Sequence, residues 1–360
     1  MPRRPHRTDQ LERELIRRCH GGLDTAEVIR TVLAALRRLM SIDAAFFATA
    51  DPDTLLFTGA FTEEPLAGAQ RLFMDNEFGG GDVNQFAALA GAATHVARLD
   101  GATRGERQAS PRYRDIMAPL GLGDELRAAL VAGGHCWGFL CLHREDDPLG
   151  FSEAEAAQVA RLAPHIAHAL RHAVLLRDTA SAGEVRGPGV VLLEPDCTVA
   201  GMTGPAERLL SLIEDGRGSR FPLPVAVYAV AAALGAGERS ERAPLLGPST
   251  RVRTRDGGWL NLHASRVLGD PAGQRTAVIV EVAGGAETAP LLLSAYGLTA
   301  REREVARLVL RGTSTRAIAD TLHISVHTVQ DHLKVVFDKT GVRSRRDLVG
   351  QLLAQGHSSR

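Results

Sequence analysis

Near the C-terminus the chain gathers side chains that could read base edges and phosphates. Gln330 carries an amide that matches adenine N6 and N7, Lys334 can donate to guanine O6 or N7, and Asp331 can accept from cytosine N4. A carboxylate facing a polyphosphate also opposes indiscriminate binding, so Asp331 is either a cytosine reader, an antideterminant or a solvated bystander. Ser314, Thr315, Arg316, Ser325 and Thr328 fall at expected helix starts, where free N–H groups and the positive dipole end suit phosphates. Val326 and His327 share the outward face of Gln330. His332 fits packing or a phosphate contact, and Arg345 stands at the opening of a further helix. For Ser314 and Ser325 the competing reading is capping alone, and for the polar face it is plain solvation.

Helices must position these groups, and their signals are local. Thr299 and Glu302 form a T-x-x-E capping box, so a helix starts at Ala300, with Val305, Leu308 and Val309 on its apolar side. Gly312 stops it. Ser314 caps a short second helix whose buried face is Ile318, Ala319 and Leu322. His323 and Ile324 make a tight turn, and Ser325 caps a longer third helix. On that helix Val329, Leu333, Val336 and Phe337 face inward, while Val326, His327, Gln330, Asp331, Lys334 and Asp338 face out. Two helices across a tight turn make a helix-turn-helix, whose second helix lies in the major groove. Ser344, Arg345 and Asp347 open a fourth helix with Leu348, Leu352 and Leu353 as its apolar stripe.

The stretch from Leu298 to about Leu353 resembles the LuxR-type (GerE-like) DNA-binding domain of bacterial transcription regulators. The resemblance rests on Leu298-Thr299, Arg301-Glu302, Glu304-Val305, Gly312, Ser314, Ile318-Ala319, Leu322, Ile324-Ser325, Thr328-Val329, His332-Leu333, Lys339, Gly341-Val342 and Ser344-Arg345. Two departures touch sequence preference. Gln330 stands where the family often has Lys, and Thr315, Arg316 and Ala317 stand where it commonly has Asn-Lys-Glu. In such proteins the fourth helix is where DNA-bound subunits meet, and the alternative is that it only covers its own core.

Composition narrows the class. The chain has 360 residues, 44% apolar and 23% charged, which suits two or three folded domains. Its net charge is zero, but residues 294–360 hold eleven Arg or Lys against six Asp or Glu, and the rest is acidic by the same margin. A basic tail on an acidic body confines nucleic-acid contact to the tail. Lys334 and Lys339 are the only lysines. That excludes a G-x-x-x-x-G-K phosphate loop. It also excludes an aspartyl-phosphorylated receiver, which needs a lysine beside its aspartates. Cys19, Cys136, Cys141 and Cys197 have no C-x-x-C spacing and read as reduced thiols. The N-terminus lacks a signal-peptide core, and the longest apolar run, 224–236, is too short for a bilayer, so a cytoplasmic location is expected.

The body reads as two sensor-like parts. Capping boxes at Asp24/Glu27 and Ser152/Glu155 and a Gly133-Gly134 hairpin frame a helix–strand–hairpin–helix order. That order, with the stretch from His135 through Trp137-Gly138-Phe139-Leu140 to Phe151-Ser152, resembles a GAF domain, a six-stranded sensor fold. The long helix after Ser152 carries Val159, Leu162, Ile166, Ala169, Ala173 and Leu176 in heptad register. This seam suits either a second chain or its own sheet, with Pro164 expected to kink it. His95, Arg127, His135, Trp137 and His143 are candidates for lining a ligand pocket. After a polar linker, strands 189–194 and 198–202, helices 205–214 and 225–234, and a hairpin about Asp256-Gly257-Gly258 resemble a PAS domain.

The expected organisation is a flexible arm (1–8), a GAF-like sensor and dimerisation domain (9–178), a linker (179–188), a PAS-like domain (189–283), a second linker (284–293) and the LuxR-type domain (294–357). The fold class is multidomain: two α+β parts with antiparallel sheets and helices, then an all-α four-helix unit. The resemblance implies a transcriptional regulator that is not an enzyme and needs no cofactor or metal. Its partners would be double-stranded DNA and a second copy of the chain, with RNA polymerase and an unidentified small ligand admitted and no membrane. The rival readings are an interaction scaffold with a DNA-localising tail and a thiol-dependent GAF-type reductase.

Overall fold

The computed structural model describes residues 7–145, 150–176, 187–213, 221–238, 247–269 and 274–353. The chain divides into two compact units, 1–281 and 282–360. Apart from residues 7–8 and 187–188, the expected arm and first linker lie outside the described residues.

The first unit opens with α1 (Arg7–Cys19) and α2 (Thr25–Leu39), the latter started by the Asp24/Glu27 capping box. Strands β1 (Ala44–Ala50) and β2 (Phe57–Thr62) follow, then α3 (Gln70–Gly79), α4 (Phe86–Gly91), β3 (Val96–Arg98) and α5 (Leu99–Thr103). Ahead of β2, residues 51–55 form a turn in which Leu55 takes a left-handed φ of 61°. Strands β4 (Leu122–Ala132) and β5 (His135–Glu145) meet at Gly133 and Gly134. Both have positive φ, 63° and 77°, which a two-residue hairpin of this hand requires. Helix α6 (Glu153–Ala173) closes this half behind the Ser152/Glu155 box and runs through Pro164.

The sheet order is β2-β1-β5-β4-β3, five strands where the GAF resemblance implied six. Among the described residues, those between α5 and β4 go into short helical turns instead of a strand; Ser110 accepts from the Tyr113 N–H at their start. The seam of α6 is spent internally. Val159, Leu162, Ile166, Ala169 and Ala173 are buried, with α1, α2 and β4 as neighbours, so the own-sheet alternative holds.

A second sheet follows from β6 (Gly189–Leu193), β7 (Val199–Met202), α7 (Gly204–Ser211), α8 (Val225–Glu238), β8 (Ser249–Arg253), β9 (Trp259–Arg266) and β10 (Thr276–Val282). Its order, β7-β6-β10-β9-β8, repeats that of the first: the opening strand lies beside the closing one. Gly189 allows β6 to meet α7, since a Cβ there would lie 2.3 Å from the Ala206 Cα.

The apolar run at 224–236 is explained by α8, where Val225 through Ala231 are all buried. A helix apolar on every side belongs between layers, and α8 packs on α3 and β2 from one half and β9 from the other. No described helix is long and apolar enough to cross a membrane. The two halves, expected as separate domains, thus share one core and are clasped by Arg251. Its backbone N–H, Nε and Nη2 donate to Asp51 at 3.0, 2.8 and 2.6 Å, and Nη2 also reaches Asp53 at 2.6 Å.

The second unit holds α9 (Gly285–Ala295), α10 (Ala300–Leu310), α11 (Thr315–Leu322), α12 (Val326–Thr340) and α13 (Arg345–Leu353). The stretch read as the second linker is therefore helical. Leu291, Leu292 and Leu293 of α9 are buried, with α10 and α13 as neighbours, so burial overrides the breaking tendency of Pro290.

Arg251→Met should cost the first unit about 3–5 kcal/mol, because Asp51 is left buried with its charge uncompensated. Urea unfolding measures this, and a loss below about 1 kcal/mol would show that the clasp behaves as a surface ion pair.

Candidate nucleic-acid interface

The outward face of α12 exists because its inner face is fully used. Val329, Leu333, Val336 and Thr340 are buried and Phe337 is half-buried, while α10 supplies Val305, Ala306 and Val309 and α11 supplies Ile318 and Ala319. Leu308 and Leu322, expected inside, are half-buried. Each start is capped as its sequence required. Thr299 Oγ1 accepts from the Glu302 N–H at 3.3 Å, Ser314 Oγ from the Ala317 N–H at 3.2 Å, and Ser325 Oγ from the Thr328 N–H at 3.0 Å. The turn between α11 and α12 closes on His323, left-handed at φ 53°, and the Ile324 N–H donates to Ala319 O at 3.0 Å. Arg301 donates to Leu322 O at 2.6 Å and ties α10 to the end of α11.

With α12 fixed in rotation, Val326, His327, Gln330, Asp331, Lys334 and Asp338 are exposed together. Thr328 and His332 are half-buried at the edge of that face. His327 Nε2 lies 3.8 Å from Asp331, a pair exposed on both sides and worth little in water. Lys334 is exposed and has no hydrogen-bonded or ion-paired partner among the described residues, as is true of Arg316. Beside α12 and the start of α13 is an open groove of about 480 Å³, with Leu333, Phe337 and Val342 among its apolar lining and Gln330, Lys334 and Arg345 among its polar lining.

Three candidates, Arg345, Thr315 and Ser325, are partly committed elsewhere, as is Lys339. Arg345 Nη1 donates to Thr315 Oγ1 at 3.0 Å and its Nη2 to Thr313 O, which locks α13 to the start of α11. The Ser325 hydroxyl is shared between its cap and Thr328 Oγ1 at 2.8 Å. Lys339 donates to Glu302 at 2.7 Å and to Gly297 O at 3.3 Å, so of the two lysines only Lys334 presents a free ammonium. Burial pushes the Glu302 carboxyl up, but Lys339 and the Thr299 cap outweigh it and hold the pKa below its ordinary 4.5.

The first-unit candidates do not form one pocket. His95 Nδ1 is held 2.9 Å from Leu89 O, Trp137 Nε1 donates to Ala132 O at 3.0 Å, and half-buried His135 lies tilted 57° to the Trp137 ring. Arg127 and His143 do converge, but on a buried charge network. Arg127 donates to Glu77 at 2.7 Å and Asn84 O at 2.9 Å, with its guanidinium 3.7 Å over Phe86. Glu125 accepts from Arg112 Nη2 at 2.7 Å, and Arg112 is further anchored through its backbone N–H to Asp82 at 2.7 Å. Sequence reasoning missed Arg112, Glu125, Glu77 and Asp82. The available signal was Asp124, Glu125 and Arg127 grouped on a strand that otherwise carries no charged residue.

Burial pushes His143 down to about 4. It pushes Glu125 up, yet Arg112 and Arg127 outweigh that and keep the carboxyl ionised. Donor atoms of Glu125, Cys141 and His143 lie within 4.8 Å of one another. A dication does not fit there, since Glu125 is already held by two guanidinium groups. The cavity next to His143 is about 20 Å³, water-sized, with Phe46, Phe73 and Met74 on one side and Phe221 and Val225 from the second half on the other.

Comparison with known proteins places these features. Residues 297–352 match the family model described as bacterial regulatory proteins, luxR family, and residues 24–170 match the GAF domain. The spore germination protein GerE of Bacillus subtilis is 42% identical over 59 residues, which are 16% of this chain and 80% of GerE. The chain belongs to the LuxR family. The monoamine regulon transcriptional regulator of Klebsiella aerogenes is 46% identical to this LuxR-family chain over 54 residues, 15% of the chain and 24% of the relative. The chain therefore matches only about a quarter of that relative's length. The crystal structure of Escherichia coli SdiA aligns with 96% of this chain and 98% of its own at 13% identity and a TM-score of 0.30. Within the matched stretch, Thr299, Ser314 and Ser325 cap helices and Lys339 bonds to Glu302.

A carboxyl whose folded pKa is depressed stabilises above its ordinary value and loses that contribution as pH falls through the folded pKa. Lys339→Met should therefore lower the tail's melting temperature at neutral pH and lower it less at acidic pH, as Glu302 takes up its proton through its depressed pKa. Thermal melts by circular dichroism across pH check this; an equal loss at both pH values would contradict it.

Proposed function

We propose that the chain is a DNA-binding transcriptional regulator that reads the major groove with α12 as a homodimer, under control of the 1–281 unit. The observation that carries the reading is the exposed face of α12, where Gln330, Asp331 and Lys334 stand together while every large apolar side chain of the helix but Val326 and Val335 turns inward. In this reading Ser314, Thr315, Arg316, Ser325 and Thr328 hold phosphates at the starts of α11 and α12, a role that capping does not preclude. Val326, His327, Gln330, Asp331 and Lys334 meet base edges. His332 and Arg345 act from behind that face, and Arg345 does so by fixing α11 against α13.

Residues 9–178 and 189–283 serve as the sensing and dimerising body, residues 294–357 as the reader. Contact with RNA polymerase and a small ligand of the body belong to the same proposal. A ligand would act only through unequal affinity for DNA-competent and incompetent arrangements. A thiol-reductase reading is disfavoured by the thiols themselves. Burial pushes Cys19 up to about 11 and Cys136 to about 12, and it pushes Cys141 well above the usual thiol value, which leaves little thiolate to react.

Lys334→Ala should weaken binding to the preferred operator by about 1–3 kcal/mol. If Lys334 reads a base, preference relaxes at one position; if it holds a phosphate, all sequences weaken alike and the salt slope falls by about 1. Fluorescence anisotropy over a salt series distinguishes these outcomes, and unchanged affinity would remove α12 as the reader.

A further inference from the structure

Four imidazoles stand where the end of α1 meets α6, and neither the proposed DNA face nor the buried charge network uses them. His165, His168 and His172 share one side of α6, and His20 follows the last residue of α1. His20 Nε2 lies 3.1 Å from His165 Nδ1, and the His20 ring stacks on His168 with 4.2 Å between centroids. His172 continues the row, its centroid 6.2 Å from that of His168. His20 and His172 are exposed, and His165 and His168 are half-buried, so protons reach the rings from solvent.

Each polar contact in this row uses the lone pair of a neutral imidazole. Of the facing nitrogens of His20 and His165, one carries a proton and the other accepts it. One added proton leaves that bond in place, imidazolium to imidazole; a second sets two N–H groups face to face. Arg171 donates to His168 Nδ1 at 3.1 Å, and a protonated His168 has no lone pair to receive it. It becomes instead a cation beside a guanidinium and against the stacked His20 ring. We infer that His165 and His168 form a proton-operated latch: neutral, they hold the end of α1 on α6, and on taking up a proton each from solvent they release it. Release uncovers Leu15 and Cys19, the side chains that α1 buries.

The carboxylates of the packed elements are engaged elsewhere. On α1, Glu12 accepts from Gln158 and Arg161 of α6, and Glu14 pairs with Arg17. Asp24 and Glu27 close the capping box of α2, while Arg18 and Arg30 are exposed. On the strands against α6, Arg98 and Arg144 pair with Glu153 and Glu155, and Glu125 and Arg127 belong to the buried network with His143. Burial and neighbouring positive charge accordingly push His168 down to about 4 and His165 below its ordinary value. An imidazole depressed in the fold contributes stability above its ordinary 6.5 and loses it as pH falls toward the folded value. The latch is therefore closed above about 6.5 and opens toward about 4. It stands apart from the DNA reading and needs no ligand but the proton.

The test is hydrogen–deuterium exchange of the full-length protein at about pH 7.5 and about pH 5, corrected for the intrinsic pH dependence of exchange and read for α1 and β5. The expected result is that α1 loses about tenfold of its protection at the lower pH while β5 keeps its own. In the His165→Gln/His168→Gln double variant, whose amides accept hydrogen bonds at either pH, α1 keeps its protection at both. His168→Gln alone leaves the His20–His165 contact in place and gives a smaller acid loss than wild type. Equal α1 protection in wild type at the two pH values, an acid loss as large in the double variant as in wild type, or a loss in β5 as large as in α1 would each overturn the assignment.

Discussion

The rotation of α12 about its own axis is the constraint on which the tail's chemistry depends. Val329, Leu333 and Val336 can be buried in only one rotational setting, and that setting turns Gln330, Asp331 and Lys334 outward. A side-chain methyl stripe of this kind is worth roughly 1.5–3 kcal/mol per fully buried residue, far more than any polar contact on the exposed face. The proposed recognition groups are therefore placed by the apolar packing of the opposite face. The polar ties refine the same frame. Glu302 and Lys339 join the start of α10 to the end of α12, Arg301 holds the end of α11, and Arg345 holds its beginning.

The first unit is organised by a different principle. Its two sheets share one strand order and one core, with the all-apolar α8 between them and Arg251 clasping Asp51 and Asp53. Against the first sheet, Arg112 and Glu77 from helical segments meet Glu125 and Arg127 of β4, all four buried with interlocking partners. Removing one partner from such a network exposes the full desolvation cost of the rest, which makes the arrangement specific even where it adds little net stability. The Arg251–Asp51 pair joins the two halves, so a shift of one against the other breaks a buried charge pair.

Legibility in the sequence followed the range of the interaction. The capping boxes at Asp24/Glu27, Ser152/Glu155 and Thr299/Glu302 act across three residues, and all three are present with both hydrogen bonds. The Gly133-Gly134 hairpin and the tight turn at His323 and Ile324 were legible for the same reason. Helix α9 was not, because Gly284 and Pro290 signal a break and only the burial of Leu291–Leu293 against α10 and α13 makes the segment helical. The sharing of one core by the two sheets was hidden as well: Asp51 and Arg251 are 200 residues apart, and nothing near either announces its partner. The candidate DNA face was visible from helical periodicity. The commitment of Arg345, Thr315 and Lys339 to internal contacts was not, since an exposed-looking charge pattern does not reveal which carbonyl lies within reach. Of the pocket candidates His95, Arg127, Trp137 and His143, Arg127 and His143 converge on Glu125, while His95 and Trp137 bond to backbone carbonyls near them in sequence.

The central claim is that the exposed face of α12 selects DNA sequence. Footprinting of the purified full-length protein on genomic DNA at physiological salt tests it most directly. The account predicts protected sites made of two related half-sites about one helical turn apart, centre to centre roughly 10–10.5 base pairs or a multiple of that. Protection that is absent, or that follows no sequence and vanishes only with salt, would contradict it.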